Sequence, residues 1–310
     1  LSSQFEDLEK YQSEETMEKI EKSFKKAMES RRYKRDVEDF VNQRVSMAST
    51  MGQSSFQNKD FKTAFSAFAS AYELQNMIDQ GEEGIKSNAI VSARNYIDTL
   101  KKQEKNEEAI EFIETASEMF PKNSDIAIQG VNISLDMGDL EKAEKFFNAA
   151  AEADPENKAL FSTMGSIYLS SADKGYAELQ KMKITDEGYP EKAEEVEKLY
   201  TKAENNLKQA LEIDPKYLDA SYNLGVLYLG RGQKIEQRAK QMDYNDPSYE
   251  RTMKKSEQMY KNAIAPLETY IEQDPNNAGV LQVLFQVHRR AGNTDKAIEY
   301  KKRYEEAKAQ

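Results

Sequence analysis

His288 is the only histidine among 310 residues, and cysteine is absent. A general base must lie within hydrogen-bond reach of a reacting group and be oriented by a further partner. Neither a nucleophile nor an orienting group is evident for His288, so its imidazole reads as a packed structural side chain. A single histidine without any thiolate cannot build a multi-histidine or cysteine metal site. Acidic pairs abound, as at Glu82-Glu83, Asp186-Glu187 and Glu194-Glu195. They lie in long charged helical stretches or at turns, where a solvated face is the default. Asp243 to Asp246 has the opening oxygens of a calcium loop but lacks the later glycine and the distal glutamate. Its counterpart at Thr185 to Gly188 does not share the oxygen pattern. Arg31-Arg32-Tyr33-Lys34-Arg35 is the one local basic cluster and reads as a charged turn between helices. No glycine-rich phosphate loop, Gly-x-Ser-x-Gly elbow or zinc signature occurs. The expectation is no catalytic residue, no metal and no cofactor.

The elements these side chains decorate are helical. Hydrophobic residues make up 38% and charged residues 32%, with seven prolines and thirteen glycines. That leaves little room for long loops, and good helix formers dominate nearly every segment. The net charge of −11 opposes generic nucleic-acid binding, which needs a positive field to displace counterions. No stretch of apolar residues is long enough to span a membrane. Because the chain begins at Leu1, a removed leader or a cut boundary is expected upstream. Export to the periplasm is the expected location, with the cytoplasm as the alternative.

Four prolines order the chain: Pro121, Pro155, Pro215 and Pro275. Each follows an amphipathic run, and each marks where a helix must stop, since proline has no amide donor and a fixed φ. Their separations are 34, 60 and 60 residues. In the 34-residue step, Ala127, Gly130, Val131 and Ser134 share one helical face. After Met137-Gly138-Asp139 a second face carries Ala143, Phe147 and Ala150. Gly138 suits a positive φ at the first helix end, and Asp139 suits the next N-cap. The same template fits Ala93, Tyr96, Ile97 and Leu100 with Ala109, Ile113 and Ala116, and earlier Gly52, Asp60, Ala64, Phe68 and Ala71.

A helix-turn-helix unit of 34 residues with small and aromatic residues at these places resembles the tetratricopeptide repeat family. Gly165, Tyr168, Gly225 and Tyr228 carry the likeness onward, and it spans roughly residues 45 to 306. The fold class expected is all-α, a right-handed solenoid of such repeats. Residues 1–44 are expected to form an N-terminal hairpin or degenerate repeat. Residues 45–157 should hold three repeats, at 45–78, 90–123 and 124–157, with Gly81 and Gly84 interrupting between the first two.

The two 60-residue steps match each other. FSTMGSIYL in residues 158–217 aligns with SYNLGVLYL in residues 218–277. Ala203, Leu207, Ala210 and Pro215 align with Ala263, Leu267, Tyr270 and Pro275, and Tyr200 with Tyr260. Two elongated repeats are therefore expected, with hairpin tips near Asp186-Glu187-Gly188 and Asn245-Asp246-Pro247, and with Pro266 kinking the second copy. This elongated form is similar to one common in Bacteroidetes cell-envelope proteins. Residues 278–310 read as a last repeat and a polar capping helix.

The resemblance implies a non-enzymatic scaffold that binds a protein or peptide, or alternatively a chaperone-like holder of unfolded or exported chains. No nucleic-acid partner is implied, and peripheral association with an envelope complex is. In this family ligands lie against the first helices of successive repeats. On that basis the partner-facing residues are Arg94, Asp98, Asn132, Tyr222, Asn223, Gln282, Gln286 and Arg289. The Lys and Asn clamp by which some members hold a terminal carboxylate is replaced here by Ser49, Gln53, Asn95 and Gln129.

Overall fold

The computed structural model describes residues 22–309, apart from 24, 25, 31, 79 and 184. The N-terminal hairpin expected of residues 1–44 lies outside the described residues as far as residue 21, as does Arg31 of the basic run. Among the described residues there is no strand, and twelve helices run from Lys34 to Lys308. They divide into two compact units, Leu1–Asp154 and Pro155–Gln310. The fold is all-α, with each helix packed on the next within its unit.

Unit 1 holds α1 (Lys34–Gln57), α2 (Phe61–Asn76), α3 (Glu83–Lys102), α4 (Asn106–Met119), α5 (Ser124–Asp136) and α6 (Leu140–Ala153). Local chemistry sets the boundaries. The Asp60, Asn123 and Asp139 side chains accept from the amides of Thr63, Ile126 and Lys142 at 3.2, 3.0 and 2.9 Å, which satisfies donors that a helix start leaves free. Gly138 has φ +76°, the left-handed region that a side chain disfavours. Pro121 follows the C-cap of α4 directly.

Two boundaries differ from the sequence reading. α1 is unbroken across position 44, because Val41 and Val45 bury one turn apart in a single cluster with Ala71, Ile78 and Ile85. α3 starts at Glu83, so Gly84 lies in its first turn and does not interrupt the array. The connection is pinned instead by Gln75, 6% exposed, whose Oε1 accepts from the Glu82 amide at 3.0 Å.

Unit 2 holds α7 (Lys158–Leu179), α8 (Tyr189–Ile213), α9 (Leu218–Ala239), α10 (Pro247–Gln273), α11 (Ala278–Arg290) and α12 (Thr294–Lys308). Four of these are long, at 22, 25, 22 and 27 residues for α7 to α10. The paired helices pack alike at two matching positions. A Cβ on Gly165 would meet Leu207 Cγ at 2.6 Å, and one on Gly225 would meet Leu267 Cγ at 2.4 Å. Both leucines are fully buried, so only glycine permits this approach of the paired helices. α10 continues through Pro266. The ring removes one backbone donor, while Ala263, Leu267 and Ile271, all buried, hold the helix on both sides of it.

Candidate interaction surface

The eight predicted contact residues sit on first helices. Arg94 and Asp98 are on α3 and Asn132 is on α5, all exposed. α3 packs directly on α5, and Arg94 Nη1 lies 3.6 Å from Asp125 Oδ2 at the start of α5. Tyr222 and Asn223 are on α9, the first exposed and the second half-buried. Gln282, Gln286 and Arg289 are on α11 at i, i+4 and i+7, which places them on one face. Gln282 and Arg289 are exposed and Gln286 is half-buried. Tyr222 packs against the Tyr270 ring at 5.8 Å, and the Arg289 guanidinium lies 5.5 Å over Phe285. These side chains present donors, acceptors and one aromatic face outward, and the cores of their helices are built by other residues. Among the described residues no hydrogen bond or ion pair joins the α9 candidates to those of α11.

His288, by contrast, is 3% exposed. Its ring stacks on Tyr300 at 5.2 Å and 13°, and Nδ1 lies 3.3 Å from the Asn293 amide nitrogen. Nε2 lies 3.4 Å from Glu268 Oε1, which also accepts the Tyr300 hydroxyl at 3.1 Å. Burial pulls the histidine's pKa below its ordinary 6.5, against the opposing pull of Glu268. This group ties α10, α11 and α12 together.

What sequence reasoning missed is a series of polar contacts that repeats along unit 2. The Tyr200 hydroxyl donates to Asp173 at 2.6 Å, Tyr228 to Glu204 at 2.8 Å and Tyr260 to Glu236 at 2.6 Å. A cation joins each group: Lys234 of α9 meets Asp173 and Tyr200, Arg231 of α9 (the helix of Tyr228 itself) meets Glu204 and Glu197, and Arg290 of α11 meets Glu236 and Tyr260. Burial raises all three phenols, and the neighbouring carboxylates raise them further, with Tyr260 pushed up to about 12. Burial would raise Glu204 and Glu236, yet hydrogen bonds from Lys208 and Tyr228, and from Lys240 and Tyr260, hold both below the usual carboxylate range. The equal spacing of Tyr200 and Tyr260 was the one visible signal. Their partners lie 24 to 27 residues away on other helices, beyond any local pattern.

The fold is an array of consecutively packed helices. Residues 85–167 match the tetratricopeptide repeat family, and residues 199–232 match a TPR repeat. Both units of this chain therefore carry segments similar to tetratricopeptide repeats. No curated protein matches it. Among solved structures, a TPR repeats protein from Bacteroides fragilis is 21% identical, over 79% of this chain and 98% of its own, with a TM-score of 0.48. YrrB, described as a TPR protein with an unusual peptide-binding site, is 16% identical over 71% and 87%, at 0.45. A tetratricopeptide repeat protein from Parabacteroides merdae is 15% identical over 83% and 77%, at 0.39.

Proposed function

We propose that this protein is a non-enzymatic scaffold that holds a protein or peptide partner on its first-helix faces. Tetratricopeptide repeats are protein-interaction modules. The observation that carries the reading is that Gln282, Gln286 and Arg289 on α11, like Arg94 and Asp98 on α3, form a polar row. Such rows suit directed hydrogen bonds to a partner backbone and side chains. A chaperone-like holder would call for an apolar face, and Tyr222 is the only large apolar side chain among the eight candidates.

The test is affinity capture from the source cells, followed by mass spectrometry, with the full chain as bait. The triple variant Gln282→Ala/Gln286→Ala/Arg289→Ala and the double variant Arg94→Ala/Asp98→Ala serve as comparisons. At least one should lose the proteins that the unaltered chain retains, while its helical circular dichroism stays the same. Retention of the same set by both variants would overturn the proposal.

A further inference from the structure

We infer that a second surface, the groove between α2 and α4, docks a polypeptide segment whose apolar anchor is flanked by lysine or arginine. It uses residues apart from the first-helix rows and stands independently of them. The groove has a volume of about 350 Å³, floored by Phe65, Tyr96, Phe112 and Met119 and walled by Ser66 and Ser70. The Phe112 ring meets Phe65 at 5.0 Å and Tyr96 at 4.7 Å, both edge-on. The floor is thus a packed aromatic cluster that exists before any partner arrives. Ser66 and Ser70 are exposed and one turn apart, so no large side chain from α2 covers it. A neighbouring opening of about 430 Å³ shares Lys62, Ser66 and Ser70 and continues to Met51, which is 55% exposed.

Charge identifies the occupant. α4 contains Glu107, Glu108, Glu111, Glu114 and Glu118 and neither lysine nor arginine. Glu108 is satisfied by the Tyr96 hydroxyl and Lys105, each at 3.1 Å, and Glu114 by Lys145 at 3.0 Å. The Lys105 and Tyr96 hydrogen bonds hold Glu108 below the usual carboxylate range, and Lys62, the groove's one cation, resting 5.9 Å over the Tyr96 ring, adds to this. Among the described residues Glu107, Glu111 and Glu118 have no counter-ion. At i, i+4 and i+11 they share a face, where like charges repel one another. Glu118 also stands in the last turn, which has no basic residue and where the helix dipole disfavours an anion. Glu111, which lines the groove, and Glu118 therefore go uncompensated within α4 and are complementary to a cationic partner. A small cation would satisfy the rim and leave the aromatic floor wet, whereas an apolar anchor between cations satisfies both. From Glu108 to Met119, the α4 residues that line the groove run about 17 Å, or roughly three turns of a docked helix.

The experiment uses the full chain and fluorescence anisotropy of a labelled synthetic peptide of about twelve residues. It carries leucines at i, i+4 and i+7 and lysines elsewhere. Its controls are the same residues in scrambled order and a version with glutamate for every lysine. The ordered lysine peptide should bind best. Glu111→Lys/Glu118→Lys and Ser70→Trp should each weaken it by about tenfold or more. Arg94→Ala/Asp98→Ala should leave it unchanged, which separates this groove from the first-helix surface. Equal binding of the scrambled peptide, unchanged binding by Glu111→Lys/Glu118→Lys, or no binding up to about 1 mM would overturn the inference. If Ser70→Trp fails to fold, the double charge reversal decides alone, since both of its positions are exposed.

Discussion

His288 shows how a side chain able to do proton chemistry is given a structural task. The folded chain keeps it neutral by burial against Tyr300, while the unfolded chain protonates it near the ordinary value of about 6.5. Below that value the unfolded state binds more protons, so stability falls as pH drops through about 6.5. Glu268 and Glu299 soften this loss, and Lys296 deepens it. Urea unfolding at pH 8 and pH 5.5 should show a larger loss for the unaltered protein than for His288→Phe; equal losses would exclude the histidine as the cause. Its structural role was legible in the sequence, because no partner for catalysis stood near it. That Glu268 and Tyr300 enclose it was not, since both belong to other helices.

At the scale of elements, the long helices α7 to α10 need more than apolar packing. Toward the tips of α7 and α8 the buried cluster is small, made of Ala172, Val196 and Tyr200. The phenol, carboxylate and cation groups continue the contact where the core thins. Glu236 is 15% exposed and serves Tyr260, Lys240 and Arg290 together. Glu236→Gln should therefore destabilise the protein by about 1–3 kcal/mol, measured by urea unfolding at neutral pH. Since its folded pKa is lowered from 4.5, its contribution is present above 4.5 and lost as pH falls through the folded value. The variant should accordingly lose less stability on acidification. Sequence periodicity revealed the matching aromatics but read the charges as solvated faces. A helix's own pattern cannot say which neighbour will desolvate its polar side.

At the scale of the molecule, two units each carry their own buried core, and their charge differs. Residues 1–154 hold 30 Asp and Glu against 20 Lys and Arg, while residues 155–310 hold 25 against 24. The surplus of anions thus belongs to unit 1, where α4 lies. Repeat arrays gain stability largely from contacts between neighbours, so damage should stay within a unit. Leu267→Ala, at a fully buried site of α10, should cost about 2–5 kcal/mol. Hydrogen exchange should quicken in residues 155–310 and hold steady in unit 1; equal acceleration in both would contradict this. Proline and glycine placement and helix period were sufficient by themselves to determine the all-α repeat architecture, because they act through backbone geometry within a few residues. Only the tertiary structure decided that α1 and α3 start early, that tyrosines and carboxylates meet across helices, and that an acidic, aromatic-floored groove opens beside α4. Those features depend on side chains far apart in sequence being brought within a few ångströms, which no local pattern encodes.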